Sequence, residues 1–434
     1  MISIGIGLVG LGTVGAGVFQ ALQKNGNLLA QRTGTRFEVR RIVLRNPNKN
    51  RPIAVPPELV TTQWQDLVID PTISVIIELM GGTEEPLALF RSAIAEKKPI
   101  ITGNKALLAE HGAEIFDMAR SADVPIFYEA AVAGGVPIIK AIQEAFISNH
   151  FESIHGILNG TSNYILSRMT ESGMELDQAL REAQSHGFAE ADPSLDLNGW
   201  DAAHKAILLA SLAYGFWVNT GNIRVEGIET FSTLDIQFAR QLGYRIKLLA
   251  SMRACSNREI EASVCPTLIP ESHALASVNG VFNAILVRGD MVGESLFYGR
   301  GAGDTPTASA VLGNLADAAL TLASAAPIYR GFSPYNLYGG IKNPDSCLSP
   351  FYLRLVIDSQ PEVITQIVNI LGSAGIGIAS LMQLDRNNIN SHPTSLVLML
   401  HKAVAGVIRK AIQHIATLPC IKEKPVLLRV EHFV

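Results

Sequence analysis

The stretch GLVGLGTVGAGV, residues 7–18, constrains this chain more than any other. Gly10, Gly12 and Gly15 stand in GxGxxG spacing, directly after the apolar run ISIGIGLV and at the start of an amphipathic segment, TVGAGVFQALQ. In a strand–turn–helix of this kind the first glycine permits the tight turn. The second lets a pyrophosphate approach the backbone, and the third lets the helix pack on the strand. The phosphates then sit at a helix N-terminus, where free N–H groups and the helix dipole favour anions. Alone, the motif also fits a merely structural glycine turn, so its setting decides. FEVRRIVLR, SVIIELMGG, PIITGNK and VPIFYEA read as strands, and EEPLALFRSAIAEKK and EIFDMARSA as helices between them. Alternation of this length implies right-handed βαβ units and a Rossmann-type, doubly wound parallel sheet of the α/β class.

A ribose-binding Asp or Glu is expected at the end of the second strand of such a domain. Here RRIVLRNPNKNR ends in Arg45, with Lys49 and Arg51 close behind. A cation there can pair with a 2′-phosphate, which favours NADP(H), with NAD(H) as the alternative. The competing reading of Arg45 is a solvated loop arginine.

At 434 residues the chain exceeds what one hydrophobic core organises, and 48% apolar against 17% charged residues marks a packed globular protein. The net charge of −4, with no basic run, argues against nucleic acid and anionic membrane as partners. The cysteines Cys255, Cys265, Cys347 and Cys420 form no CxxC pair and read as reduced thiols in a cytoplasmic protein. No run suits a membrane span, and the apolar start reads as a buried first strand rather than a signal peptide.

The organisation predicted from these patterns is a nucleotide-binding domain over residues 1–135 and an α+β substrate-binding, catalytic and dimerisation domain over 136–304. A helix over 305–328 is expected to pack back on the first domain. Residues 329–349, rich in Gly, Pro, Ser and Asn, read as a linker. The tail, 350–434, reads strand–helix–strand–strand–helix–strand, a ferredoxin-like order.

The chemistry concentrates in a few stretches. AEADPSLDLNGWDAAHKAILLA, residues 189–210, crowds Glu190, Asp192, Asp196 and Asp201 ahead of an apolar helix carrying Lys205. Asp201 and Lys205 are four apart and share a helix face, which by itself is an ordinary ion pair of a few tenths of a kcal/mol. His204 is turned by about 100° from Lys205 and reads as structural. Asp192 and Asp196 read as residues that shape the loop. ITGNKALLAEHG sets Lys105 beside a strand end at a helix start, where the dipole disfavours a cation. LNGTSNYIL offers Asn159, Gly160 and Thr161 as a helix cap or a ligand loop. YEAAVAGGVPII can gather carbonyls round a cation or simply turn, and GRGAGDTPTA is a second glycine-rich turn able to approach a phosphate.

GLGTVG, GNK, YEAAVAGGVP, LNGTSNYIL, GFAEADPSLDLNGWDAAHK and GRGAGDTPTA, in that order, together resemble homoserine dehydrogenase over essentially the whole chain. The tail resembles an ACT domain, a regulatory module. The resemblance implies NAD(P)-dependent interconversion of L-aspartate 4-semialdehyde and L-homoserine, on the route to threonine, methionine and isoleucine. It implies Lys205 as the catalytic lysine and Lys105 as a catalytic residue contacting cofactor and substrate. Glu190 and Asp201 would hold the substrate at its ammonium, beside the loop Asn159, Gly160 and Thr161. Cofactor contacts are implied for Gly10, Leu11, Gly12, Thr13, Val14, Gly15, Gly187 and Gly303. Glu129 and the carbonyls of Val132, Gly134 and Val136 are implied as a monovalent-cation site, usually Na+. A homodimer or homotetramer is expected, with L-threonine as the effector at the tail.

The residues agree with that chemistry. In the reducing direction negative charge builds on the aldehyde oxygen, and the Lys205 ammonium can stabilise it and deliver the proton. In the reverse direction a neutral lysine must accept a proton, which partial burial favours. In the tail, DSQPEV has Glu362 where ACT domains carry a glycine, a change that narrows, abolishes or moves an effector pocket. Two other readings stay open at this point: an NADP-dependent oxidoreductase of another short aldehyde, and a catalytically silent NADP- or amino-acid sensor. A nucleic-acid regulator lacks a basic patch.

Overall fold

A computed structural model gives the fold and describes residues 2–49, 51, 53–324, 331–335, 337–358, 360–383 and 393–433. The end of the expected helix (325–328), linker residues 329–330 and 336, Ser359, and the strand end Leu384–Asp385 lie outside the described residues. The chain forms two compact units. One comprises Met1–Glu152, His204–Thr220 and Asn283–Gly339, the other Ser153–Ala203, Gly221–Phe282 and Gly340–Val434.

In the first unit the strands β1 (Ile2–Val9), β2 (Thr35–Val43), β3 (Val60–Thr61), β4 (Val75–Glu78), β5 (Ile100–Thr102) and β6 (Ile126–Phe127) form one sheet in the order β3-β2-β1-β4-β5-β6. Every pair is parallel, as the βαβ pattern requires. β1 is buried from Ile4 to Val9, which explains its unbroken apolar run. The helices of this stretch are α1 (Thr13–Thr33), α2 (Gln65–Ile69), α3 (Glu84–Ala95), α4 (Lys105–Ala122) and the single turn α5 (Ile138–Lys140).

The chain continues through β7 (Phe151–Ile157), α6 (Gly160–Ser172), α7 (Leu176–Ser185), the turn α8 (Ser194–Leu197), α9 (Trp200–Tyr214), β8 (Arg224–Val225), α10 (Thr233–Gln241), β9 (Tyr244–Ala254) and β10 (Glu259–Pro270). The neighbouring strands β11 (Phe282–Gly289) and β12 (Gly293–Arg300) lead into α11 (Asp304–Ala323). α11 packs on α1: a Cβ on Gly17 would lie 2.7 Å from the Asp304 carbonyl oxygen. Ala308, Val311, Leu315 and Ala318 of α11 share one core with Ile4, Ile6, Leu8, Val18 and Phe19. Burying such a ridge stabilises by about 25 cal/mol per Å² of apolar surface.

The tail follows β13 (Gly340–Ile341) as β14 (Leu348–Ile357), α12 (Pro361–Ser373), β15 (Ile378–Gln383), β16 (Thr394–Val404), α13 (Ala405–Ala416) and β17 (Val426–Val430). Its strands lie in the order β17-β14-β16-β15, the ferredoxin-like arrangement predicted from its element order. β17 also pairs in parallel with β10, Thr267 opposite Arg429, so the tail continues the sheet of the second unit. A buried bidentate pair adds to that union: Arg354 of β14 donates to both oxygens of Asp235 on α10, at 2.6 and 3.0 Å. Glu362 is exposed in the first turn of α12.

The expected linker is not all surface turn. Phe332 is buried, 5.3 Å by ring centroid from Trp217, and the Tyr335 hydroxyl donates to the Ala213 carbonyl. The four cysteines are free, Cys265 and Cys347 buried, Cys255 and Cys420 half-buried. Among the described residues no helix is long and apolar enough to cross a membrane.

Candidate active site

The glycine turn joins β1 to α1. Gly10 has φ +93°, and a Cβ there would meet the Leu79 carbonyl oxygen at 2.6 Å; a Cβ on Gly15 would meet the Gly10 carbonyl oxygen at 2.2 Å. Neither position admits a side chain, which accounts for two glycines of the motif. Gly12 has nothing within 4 Å on its Cβ side, and no side chain caps the N-terminus of α1. Its leading N–H groups are left for a ligand.

A cavity of about 1280 Å³ opens on this turn. Gly10, Leu11, Gly12 and Thr13 line it, with Arg45, Lys49 and Arg51 at one side and Met80, Gly81 and Gly82 at another. Arg45 extends into solvent, 3.6 Å from the Glu85 carboxylate, whereas Arg51 is turned onto its own loop, donating to the Asn46 and Lys49 carbonyls. Val14 and Gly15 sit in the first turn of α1 and are not among the lining residues; Gly303 precedes α11, whose Asp304 is.

Lys105 begins α4. Asn104 caps that helix, its Oδ1 accepting from the Leu107 N–H at 3.1 Å, while its Nδ2 donates to the Gly82 carbonyl at 2.9 Å. The cap therefore ties the Lys105 turn to a loop of the cavity wall.

In the second unit two acids of residues 189–210, Asp196 and Asp201, converge on Asn159, the residue before α6. The Asn159 Oδ1 accepts from the Ser162 N–H at 2.7 Å and caps the helix. Its Nδ2 donates to Asp196 at 2.6 Å and to Asp201 at 2.8 Å. One buried amide group thus holds two carboxylates side by side, an arrangement that attracts a cation. Asp196, read from the sequence as a loop-shaping residue, is a full member of this acidic pair. Thr161 donates to the Phe188 carbonyl at 2.7 Å and anchors the loop after Gly187 (φ +72°), which leads to the exposed Glu190. Gly160 lies against the Val281 carbonyl, where a Cβ would come to 2.8 Å. Asp192 accepts from the Ser194 N–H and shapes the turn before α8.

α9 opens with Trp200 and Asp201 and carries Lys205 one turn later. Lys205 is 7% exposed and its neighbours Ala202, Ala203, Ala206 and Ile207 are buried; His204 is half-buried. A lysine on so apolar a helix costs desolvation, the physical reason it stands out from a surface ion pair.

The 129–136 loop belongs to the first unit. Glu129 is buried, and its two carboxyl oxygens accept from the Ile139 and Lys140 N–H groups at 3.0 and 2.9 Å. Burial pushes its pKa up to about 7 against those two hydrogen bonds, which pull it down. The Val136 carbonyl accepts from Ile138 N–H at 2.8 Å, and Gly135 N–H donates to the Arg300 carbonyl at 2.9 Å. A Cβ on Gly134 would reach Thr307 Oγ1 at 2.7 Å, so this loop and the GRGAGD turn are closely fitted. Among the described residues no three His, Cys, Asp or Glu side chains gather as a metal site. Any cation here must rest chiefly on carbonyl oxygens, which suits a hard monovalent ion rather than a transition metal.

Known proteins match this architecture along its length. Residues 10–129 match the family described as "Homoserine dehydrogenase, NAD binding domain", and residues 137–316 the family described as "Homoserine dehydrogenase". A homoserine dehydrogenase of Synechocystis is 40% identical, with 99% of each chain covered; one of Pseudomonas aeruginosa is 40% identical, with 98% of each covered. The crystal structure of a homoserine dehydrogenase from Thiobacillus denitrificans superposes with a TM-score of 0.90 at 38% identity, covering 99% of this chain and 98% of that one. A glycine turn open for a dinucleotide, an acidic pair before a buried lysine, and full-length relatives at this identity agree: the chain belongs to the homoserine dehydrogenase family and is an oxidoreductase.

Proposed function

We propose that this enzyme interconverts L-aspartate 4-semialdehyde and L-homoserine with NADP(H), and that Lys205 exchanges the proton at the substrate oxygen. The observation that carries the assignment is Asn159 holding Asp196 and Asp201 together, one helical turn before a 7% exposed lysine. A substrate ammonium needs carboxylates, and Asp201 with Glu190 supplies them. As charge grows on the carbonyl oxygen, the Lys205 ammonium stabilises it and donates a proton; in reverse the amine takes the hydroxyl proton. Lys105, at the start of α4, contacts cofactor and substrate. The nicotinamide, when bound, supplies or accepts the hydride.

The chain's own residues fit such a cofactor. Gly10, Leu11, Gly12 and Thr13 present backbone to the pyrophosphate at the uncapped start of α1, and Val14, Gly15 and Gly303 belong to the two glycine turns beside it. The exposed Arg45, with no acid at the end of β2, is placed for a 2′-phosphate, which sets NADP(H) ahead of NAD(H). The loop of Glu129, Val132, Gly134 and Val136 would hold Na+, whose charge would offset the buried carboxylate. The order β17-β14-β16-β15 supports an ACT-type tail responding to L-threonine, with Glu362 reshaping its pocket. A cytoplasmic homodimer or homotetramer serving threonine, methionine and isoleucine synthesis completes the reading.

The test is NADPH oxidation with L-aspartate 4-semialdehyde, comparing wild type with Lys205→Ala. Wild-type turnover is expected, with kcat lower by at least about a hundredfold in the variant and cofactor binding retained. Full activity in the variant would remove Lys205 from the chemistry. No turnover by a folded, cofactor-binding wild type would overturn the substrate.

A further inference from the structure

Glu78 is the last residue of β4, at the carboxyl end of the parallel sheet, and its side chain is entirely buried. A carboxyl in that position is costly unless donors satisfy it. Donors are at hand: the Thr102 hydroxyl donates to one oxygen at 2.6 Å, the Met80 N–H to the other at 2.7 Å, and the Asn104 side chain acts on the same carboxyl. The Thr102 oxygen in turn accepts from the Asn104 N–H at 2.9 Å. Asn104 caps α4, which begins at Lys105, and reaches across to the Gly82 carbonyl. One carboxyl therefore holds two loops at once: Met80–Gly82, which lines the dinucleotide cavity, and Gly103–Lys105.

We propose that Glu78 is a positioning residue for the nicotinamide cofactor, setting the Met80–Gly82 and Gly103–Lys105 loops through Thr102 and Asn104. This rests on reading the 1280 Å³ cavity as the cofactor site. Glu78 does not line that cavity and acts only through its partners.

Hydrogen-bond direction separates this role from mere core filling. With Asn104 donating to the Thr102 oxygen, the Thr102 proton is free to point at Glu78, so the chain closes on an ionised carboxylate. Protonated on the oxygen facing Thr102, Glu78 would set two hydrogens between the same two oxygens, and the hydroxyl would have to turn away. The groups acting on Glu78 are neutral: burial raises its pKa to about 7, while hydrogen bonds from Thr102, Met80 and Asn104 lower it. Titration of Glu78 therefore makes and breaks the relay near pH 7.

The test compares wild type with Glu78→Gln and Thr102→Val, by fluorescence titration with NADPH and by steady-state kinetics from pH 6 to 9. We expect NADPH binding in both variants about fivefold weaker, the fold-change of one net hydrogen bond. We also expect the limb near pH 7 in the wild-type kcat/KM profile to disappear. Folded variants with wild-type NADPH affinity and an unchanged pH profile would overturn the role of Glu78 even if their melting temperatures moved. A wild type that binds no dinucleotide would overturn both this inference and the reading of the cavity.

Discussion

Asn159→Asp isolates the acidic pair from the fold. The two side chains have the same shape, and aspartate caps a helix as well as asparagine, so the bond to Ser162 N–H survives. What goes is the amide group that donates to Asp196 and Asp201, replaced by a third carboxylate facing two others. A hydrogen bond to a charged acceptor contributes about 1.5–3 kcal/mol, and the two bonds share one amide, so roughly 2 kcal/mol of orientation is lost, about thirtyfold in kcat/KM. Like-charge repulsion pushes Asp201 away from its set position and adds to the loss. Every residue lining the dinucleotide cavity belongs to the first unit and Asn159 to the second, so NADPH affinity should not change. The assay is NADPH oxidation with semialdehyde, beside a thermal melt and an NADPH titration. A variant that melts with wild type and keeps kcat/KM within about threefold would refute the argument, since the loss expected from two charged hydrogen bonds is an order of magnitude larger.

Two further tests reach other parts of the molecule. Arg45→Ala should raise KM for NADPH by about tenfold and leave KM for NADH alone, the cost of one charged contact to phosphate; equal effects on both cofactors would remove Arg45 from the 2′-phosphate. Glu129, raised to about 7 from 4.5, keeps its proton in the folded state while the unfolded chain has released it. Its contribution to stability is therefore full below pH 4.5 and falls away as pH rises to about 7, by at most about 3 kcal/mol. In sodium-free buffer Glu129→Gln should melt with wild type at pH 5 and above it at pH 8, and a lower melting temperature at pH 8 would contradict the sign.

The nucleotide half was legible because each glycine of the motif answers a separate steric demand within a few residues: Gly10 and Gly15 have carbonyls where a Cβ would stand. Helix and strand periods likewise made the tail's order readable, since they are local. Glu78 was not legible. In SVIIELMGG nothing marks the lone acid that follows the apolar run, and only the fold puts Thr102 beside it, 24 residues on. Asp196 escaped for the same reason: its partner Asn159 lies 37 residues earlier, and nothing in LDLNG records that. Composition was silent on one residue of GFSPYNLYGG, because turn formers say where a chain bends and nothing of Phe332, which buries its ring against Trp217. Nor does FYLRLVID reveal that Arg354 meets Asp235 across 119 residues.

The acids and the lysine of residues 189–210 show how far the local pattern goes. Helical spacing puts Asp201 and Lys205 on one face, and that is all an ion pair needs. Yet exposed pairs of this kind contribute little and are bought cheaply at a surface, whereas Lys205 is 7% exposed among buried alanines and leucines. Removing an ammonium from water is opposed by desolvation whatever acid lies one turn away. Asp201, for its part, is held by Asn159 beside a second carboxylate, which concentrates negative charge instead of spreading it. Stability alone favours neither choice. On the proposed reaction, a substrate carrying an ammonium at one end and a carbonyl at the other gives both a use, because its ammonium complements the acids and its developing negative charge complements the lysine.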